Sequence, residues 1–508
     1  MVYLLGIDIG TSGTKTALYD RYGQSVASHT IEYPMYQPQN GWAEQDPEDW
    51  WQAVAGGIRA VLATSAVAAG DVAGIGLSGQ MHGLVLLGED GRVLRPSIIW
   101  CDQRTAAQAE WLEREIGRER LVAVTANPAI TGFTAAKLLW VREHEPDVYR
   151  RTRHILLPKD YIRYRLTGAF ATEVSDASGM QLLNIGKRDW DAPLLADLSI
   201  DRALLADVYE SPDISAHVSA EGAAATGLLA GTPVAGGAGD NAAAAVGTGV
   251  VTEGCAFTTI GTSGVVFAHT NEMHIDPAGR VHTFCCAVPG AWHVMGVTQG
   301  AGLSLQWFRN QFCGSLQSQA HDRGISVYRL MDELAATVPV GSERLIYLPY
   351  LMGERTPHLN PDARGVFFGL SAMHETRHLI RAVLEGVSFS QLDSLSIIRG
   401  MGLDVDDMRA TGGGATPFWQ QMLADVYKCP VSTLAENEGP SLGVALLAAT
   451  GVGIYASVPE ACAAAIKTAK TAAPDPERVP RYAAVYPLYQ EIYRRLEPLY
   501  QDLAGLPL

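Results

Sequence analysis

Apolar and polar positions alternate over the first thirty residues in a pattern that predicts a strand meander. Residues 3–9 form an apolar run interrupted only by Asp8. Residues 10–13 make a small, hydroxyl-bearing turn, and residues 15–19 alternate before a second turn at 20–23. Residues 24–33 read as a third antiparallel strand. Asp46-Pro47-Glu48-Asp49 then reads as a helix start, with Asp at the cap, Pro at the first position and acids in the first turn. The helix continues through Trp50, Trp51, Val54 and Ile58 towards Thr64. Residues 72–77 form a short buried strand that ends in Ser78-Gly79-Gln80-Met81-His82-Gly83, and residues 84–87 and 93–100 are expected to continue the sheet. Helices are expected at 111–116, 133–144 and 156–166. A strand at 234–239 delivers Asp240-Asn241 to a small-residue helix at 242–246.

The pattern then restarts. Strands are expected at 255–260 and 265–269, a helix at 302–312, a strand at 345–348, a loop at 349–357 and a long helix at 376–398. A strand at 408–411 leads into Gly412-Gly413-Gly414-Ala415 and a helix at 417–426, and an amphipathic helix closes the chain at 486–503. The string Ile9-Gly10-Thr11-Ser12-Gly13 recurs as Ile260-Gly261-Thr262-Ser263-Gly264, so two related half-domains facing each other are expected. Both halves mix strands and helices, which makes the fold class α/β. With the break at 247–254, the domains are expected to be 1–246 and 247–480. The helix within 481–508 is left unallocated.

Composition narrows the function. At 508 residues the chain is long for one core, and 47% hydrophobic with 18% charged residues is a globular balance. A net charge of -16 argues against a nucleic-acid surface but does not exclude an anionic substrate, because turns and helix N-termini bind phosphate locally. The seven cysteines are scattered without a CxxC, which fits a reducing cytoplasm and no zinc or disulfide framework. The N-terminus opens directly on a strand, without a leader pattern. The Ala-rich stretches are broken by Gly, Pro or charge, so neither secretion nor a membrane partner is expected.

Four turns carry candidate chemistry. Glycines let a backbone approach a ligand, and successive N–H groups with Thr and Ser hydroxyls make an anion cradle, which fits both IGTSG copies. Gly412-Gly413-Gly414-Ala415 would let a flat ring or a phosphate lie against the main chain, although triple glycines are also common in plain loops. At Gly236-Gly237-Ala238-Gly239-Asp240-Asn241 a strand brings a carboxylate to the mouth of a helix. Asp240 is either a helix N-cap or a general base taking a proton from a hydroxyl. Asp8 is either a hydrogen-bonded strand residue or a partner of Mg²⁺ bound with phosphates. His82, beside Gln80 and Met81, is either a core histidine or a contact to a small polyol. Glu354 and Arg355 could simply pair with each other. Together these describe ATP-dependent phosphoryl transfer. No GxxxxGK[ST] string is present, and neither is the HRD and DFG pair of protein kinases.

These residues resemble, essentially end to end, the FGGY family of sugar kinases within the actin/hexokinase/Hsp70-like ATPase superfamily. The resemblance rests on residues 6–13, Gly79-Gln80-Met81-His82-Gly83, Leu157-Pro158-Lys159-Asp160-Tyr161, Gly239-Asp240-Asn241, Gly261-Thr262-Ser263-Gly264, Gly353-Glu354-Arg355-Thr356-Pro357-His358 and Gly412-Gly413-Gly414-Ala415. It implies two actin-like (ribonuclease H-like) domains around a cleft. Met81-His82, Asn241 after the aspartate and the 354–358 string favour members acting on a ketopentose, D-xylulose, at its 5-hydroxyl. Members acting on glycerol carry a different string at 80–83, and those acting on gluconate usually have Gly after the aspartate. L-Ribulose, D-gluconate and a non-catalytic sugar or nucleotide binder stand as alternatives.

By resemblance, the catalytic residue is Asp240, and Gln80, Met81, His82, Asp240 and Asn241 bind the sugar. ATP meets Thr11, Ser12, Lys15, Gly261, Thr262, Gly413, Gly414 and Ala415, and Asp8 orients Mg²⁺. The partners are thus a small sugar and ATP in the cytoplasm, and the assembly is compatible with a homodimer. Residues 435–439, before Pro440-Ser441-Leu442-Gly443, are less like the family pattern.

Overall fold

The computed structural model describes residues 2–436 and 438–506; Asn437, inside the atypical 435–439 stretch, lies outside them. A seven-stranded sheet organises the first lobe. Its meander is β1 (Tyr3–Ile9), β2 (Gly13–Asp20) and β3 (Ser25–Glu32), followed by helix α1 (Pro47–Ser65), which Asp46 caps as expected. The next strand, β4 (Val72–Gly79), lies parallel to β1 on the side away from β2. Helices α2 (Thr134–His144) and α3 (Pro158–Thr167) follow, then β5 (Ile214–His217), β6 (Pro233–Ala235), β7 (Ala238–Gly239) and helix α4 (Asp240–Thr248). The strand order is β5-β6-β4-β1-β2-β3, with β7 also paired to β4.

The second lobe repeats this plan. Strands β8 (Gly254–Ile260), β9 (Gly264–Thr270), β10 (His282–Cys285) and β11 (Trp292–Thr298) precede helices α5 (Ala301–Phe312), α6 (Val327–Ala335) and α7 (Thr376–Gly400). Strand β12 (Val405–Thr411), helix α8 (Pro417–Tyr427) and β13 (Val431–Leu434) follow. With β14 (Thr468–Ala472), the order is β10-β11-β9-β8-β12-β13-β14. In each lobe the first strand runs antiparallel to the second and parallel to a later one: β1 with β2 and β4, β8 with β9 and β12. The two IGTSG copies are therefore the hairpin turns at equivalent corners, facing a cleft between the lobes.

One expectation needs correcting. Residues 84–87 and 93–100 do not extend the main sheet. Val85–Leu87 pairs with His154–Leu156, and Ser97–Ile98 with Glu44–Gln45, in small separate ladders. Pro96, which has no N–H to donate, stops a longer strand. The helix expected at 111–116 is present and longer, running from Ala106 to Thr125 with a π-helical turn at Leu112–Gly117.

Helix α9 (Gly439–Gly451) returns from the second lobe to pack on the first sheet and on α4. It is apolar on all sides, as a helix buried all round must be. The contact is backbone against backbone. A Cβ on Gly6 or Gly76 would fall 1.9 Å from the carbonyl oxygen of Ser441 or Val444, and one on Gly443 would fall 1.9 Å from that of Ala243. Gly443→Ala should therefore push α9 off α4 and cost roughly 1–3 kcal/mol. Thermal denaturation should show a lowered midpoint, and turnover should fall with it because α4 begins at Asp240. The chain ends in α10 (Val479–Ala504), which lays Tyr482, Tyr489, Ile492, Tyr493 and Tyr500 into the core of the second lobe. No helix among the described residues is long and apolar enough to cross a membrane.

Candidate active site

Three parallel strands bring the two key carboxylates to one edge. Asp8 of β1 lies in register with Ser78 of β4, and Gly79 of β4 with Gly239 of β7. Asp240 follows immediately, so both acids stand at the carboxyl ends of parallel strands, where α/β sheets bind ligands. Ser78 donates its hydroxyl to Asp8 Oδ1 at 2.8 Å. Burial raises the Asp8 pKa, opposed by that hydrogen bond and by the charge of Lys15. Lys15 does not close on Asp8; its Nζ sits 2.5 Å from Glu438, which also accepts from Tyr19.

The first turn is held from beneath. Gln80 is 1% exposed and donates to Gln45 at 2.7 Å, while Gln45 donates to the Thr11 carbonyl at 2.7 Å. Tyr33 donates to the Gly10 carbonyl, and Trp100 donates to the Thr11 hydroxyl at 2.9 Å. Gln80 is thus engaged under the turn rather than facing open space. Ser12 is exposed on the turn's outer side.

Asp240 is the first residue of α4, and the cap position belongs to Gly239. Its Oδ1 accepts from the Asn241 amide at 2.8 Å and the Asn241 side chain at 3.0 Å. Burial, then the negative charge of Asp8, lifts its pKa to about 7, against these two hydrogen bonds. A carboxylate with that pKa is a proton acceptor matched to neutral pH. A general base acts in its ionised form, so with Asp240 in that role kcat/KM for the acceptor should fall about tenfold per pH unit below about 7. A pH profile measured under limiting acceptor checks this.

Met81 packs against Gly239, where a Cβ would meet its Cγ at 2.9 Å. His82 has a left-handed backbone (φ 69°) and places Nδ1 3.0 Å from the Gly179 carbonyl. Burial, with Lys137 nearby, pushes its pKa well below the usual value, so the ring is neutral. A carbonyl only accepts, so Nδ1 carries the proton and Nε2 keeps a lone pair for a hydroxyl. The ring lies 4.9 Å from that of Phe133, centroid to centroid.

A cavity of about 240 Å³ in the second lobe brings Gly261, Thr262, Gly413 and Gly414 together. The turn is anchored on the start of α5, whose Gly302 and Leu303 amides donate to the Gly261 and Thr262 carbonyls at 2.7 and 3.1 Å. Gly412, with φ 86°, makes the bend that opens Gly413 to the cavity. Ala415 does not line the cavity, and Thr11, Ser12 and Lys15 belong to the opposite lobe. Gln306, Tyr328, Asp332 and Trp419 also line it; none was legible beforehand, since each reads as an ordinary helix residue. Burial holds Asp332, hydrogen-bonded with Thr416, at about 6.

Behind Asp240 lies an ionic cluster that the sequence motif at 157–161 only hinted at. Lys159 sits 2.7 Å from Asp160, 3.4 Å from Asp176 and 3.5 Å from Glu173, and all four side chains are 0% exposed. Glu173 accepts the Ser175 hydroxyl at 2.9 Å, and Ser175 accepts the Gly239 amide at 3.1 Å. The strand end that presents Asp240 is thereby tied to a fixed network.

Glu354 and Arg355 do not pair. Glu354 turns inward, accepting the Gln299 and Arg355 amides at 2.8 and 2.7 Å, and burial lifts its pKa to about 8. Arg355 points the other way, towards Gly132 and His82.

Among the described residues no group of three or more His, Cys, Asp or Glu side chains could hold a metal ion alone. Asp8 nevertheless fits a Mg²⁺ that takes its other ligands from phosphates and water: it is a half-buried hard-oxygen donor with no ion-pair partner among the described residues, and it repels Asp240.

Two lobes of one plan, with a strand-end aspartate of pKa about 7 on one and a glycine-lined cavity on the other, fit a phosphoryl-transfer enzyme acting on a small hydroxylated acceptor. Residues 3–247 match the model of the FGGY family of carbohydrate kinases, N-terminal domain, and residues 256–452 match that of its C-terminal domain. The chain is 38% identical over 500 residues to the xylulose kinase of Bacillus subtilis, covering 98% of each chain. It is 39% identical over 511 residues to that of Lactococcus lactis, covering 99% of each. The structure superposes on the ligand-bound xylulose kinase of Lactobacillus acidophilus with a TM-score of 0.92 at 28% identity, covering 99% of this chain and 100% of that one. The chain belongs to the FGGY family of carbohydrate kinases and is an ATP-dependent sugar kinase.

Proposed function

We propose that the chain transfers the γ-phosphoryl group of ATP to the 5-hydroxyl of D-xylulose, giving D-xylulose 5-phosphate and ADP. The observation that carries this is Asp240, held at a strand end with a pKa of about 7 beside Met81 and His82. The sugar lies on the first lobe against Met81, His82 and Asn241, with the His82 Nε2 lone pair accepting a sugar hydroxyl. Asp240 removes the proton from the 5-hydroxyl as its oxygen bonds to the γ-phosphorus, and the bond from that phosphorus to the bridging oxygen of ADP breaks.

The adenosine lies in the cavity at Gly413 and Gly414, and the Gly261–Thr262 turn faces the phosphates. Asp8 would hold a Mg²⁺ bound with the phosphates, and that ion would supply positive charge to stabilise the transferring group. Closure of the lobes excludes water that would compete as acceptor. The seven free cysteines and the ATP requirement favour a cytoplasmic location.

Coupled ADP release over D-xylulose, L-ribulose, D-gluconate and glycerol tests the reading. D-Xylulose should give the highest kcat/KM. A higher value with any other member of the panel, or no sugar-stimulated release, contradicts it.

A further inference from the structure

The loop carrying Arg355 is fixed at both flanks. Glu354 holds it to the end of β11 through the Gln299 amide. Thr356 exchanges hydrogen bonds with Val297, donating its amide at 2.9 Å and accepting the Val297 amide at 3.1 Å, and its hydroxyl donates to the Arg280 carbonyl at 2.8 Å. A loop pinned this way projects one side chain to the first lobe, beside the seam where His282 and Phe284 pack on Phe133. Arg355 Nη2 comes 3.8 Å from the point a Cβ on Gly132 would occupy, just ahead of α2 in the first lobe. Its charge helps to depress the pKa values of both His82 and His282, so the guanidinium lies near both rings.

Among the described residues Arg355 makes no side-chain hydrogen bond and has no carboxylate within 4.0 Å. Glu354 is the one acid among them whose charge acts on Arg355, and it is engaged with backbone amides; Lys137 is committed to the His82 and Gly132 carbonyls at 2.9 and 2.8 Å, and His282 shares its Nδ1 with Asn127 at 2.8 Å. Arg355 is half-buried, and a fork of N–H donors left without a protein acceptor calls for electronegative oxygens. The ligand that brings such oxygens to His82 is the sugar.

We propose that Arg355 is a sugar-binding residue contributed by the second lobe, its guanidinium donating to sugar oxygens beside His82. The inference rests on the sugar site described above. It makes the sugar a bridge between lobes, held by His82 from one side and Arg355 from the other, so that sugar binding itself favours closure.

The test uses the full chain and the sugar that the wild-type enzyme phosphorylates best, so it stands or falls separately from the choice of D-xylulose. Calorimetric sugar affinity without nucleotide, and KM for sugar and for ATP, are compared for wild type, Arg355→Met, Arg355→Lys and Arg355→Ala. Loss of a charged hydrogen bond should raise the sugar Kd of Arg355→Met by at least about tenfold, with KM for ATP within about twofold. Arg355→Lys should recover only part of the affinity. Added guanidinium should restore sugar binding to Arg355→Ala, a result no general loosening of the loop produces. A sugar Kd within twofold of wild type in Arg355→Met, or a rise confined to KM for ATP, overturns the proposal; the latter would assign the charge to phosphate.

Discussion

Asp240→Asn is expected to lower kcat by at least about a hundredfold while leaving sugar affinity within a few-fold of wild type. The substitution keeps the shape of the side chain and its place at the start of α4, but an amide cannot take the proton of the 5-hydroxyl. The buried cluster of Lys159, Glu173 and Ser175 still fixes the Gly239 amide, so the strand end does not move. The loss should therefore fall on kcat, and kcat/KM should no longer rise through pH 7. Steady-state kinetics with calorimetric sugar binding checks both halves. Turnover near wild type would remove Asp240 from the role of base.

Asp8→Asn is the second large effect, and it has two signatures of different origin. The Mg²⁺ concentration for half-maximal activity should rise by about 10–100-fold, the range seen when a group that orients a bound metal is lost. The Asp240 pKa should fall, because Asp8 is the charge that helps to raise it. The acid limb of kcat/KM should then move to lower pH even as maximal turnover drops. An unchanged Mg²⁺ titration sinks the metal role. An unmoved acid limb sinks the electrostatic coupling, and the two outcomes are independent.

Legibility in the sequence followed physical scale. The two hairpin turns, Gly412–Gly414 and the strand-end aspartates were readable because each is set by local backbone demands. Gly412 at φ 86° sits where a side chain is strained, and the IGTSG copies occupy equivalent corners of two like-ordered sheets. Features made by residues distant in the chain were not readable. Glu173 and Asp176 reach Lys159 only through packing, and a lone acid at the start of a short helix carries no local sign of it. Helix α9 has no polar face to betray its side, so nothing local says that it returns to the first sheet. Gln80 follows a strand beside Met81 and His82, yet its amide is engaged with Gln45 under the turn. Glu354 and Arg355, adjacent in a loop, part because Gln299 and Ser390 draw the carboxylate inward.

The central claim is that a γ-phosphoryl group moves from ATP to the sugar oxygen whose proton Asp240 takes. The most direct measurement is phosphorus–proton correlation NMR on the product formed from ATP and D-xylulose by the wild-type enzyme. The expected spectrum has one new phosphomonoester, coupled to the two C5 methylene protons and formed in one-to-one ratio with ADP. A phosphoester on another carbon, or ADP accompanied only by inorganic phosphate, would contradict it.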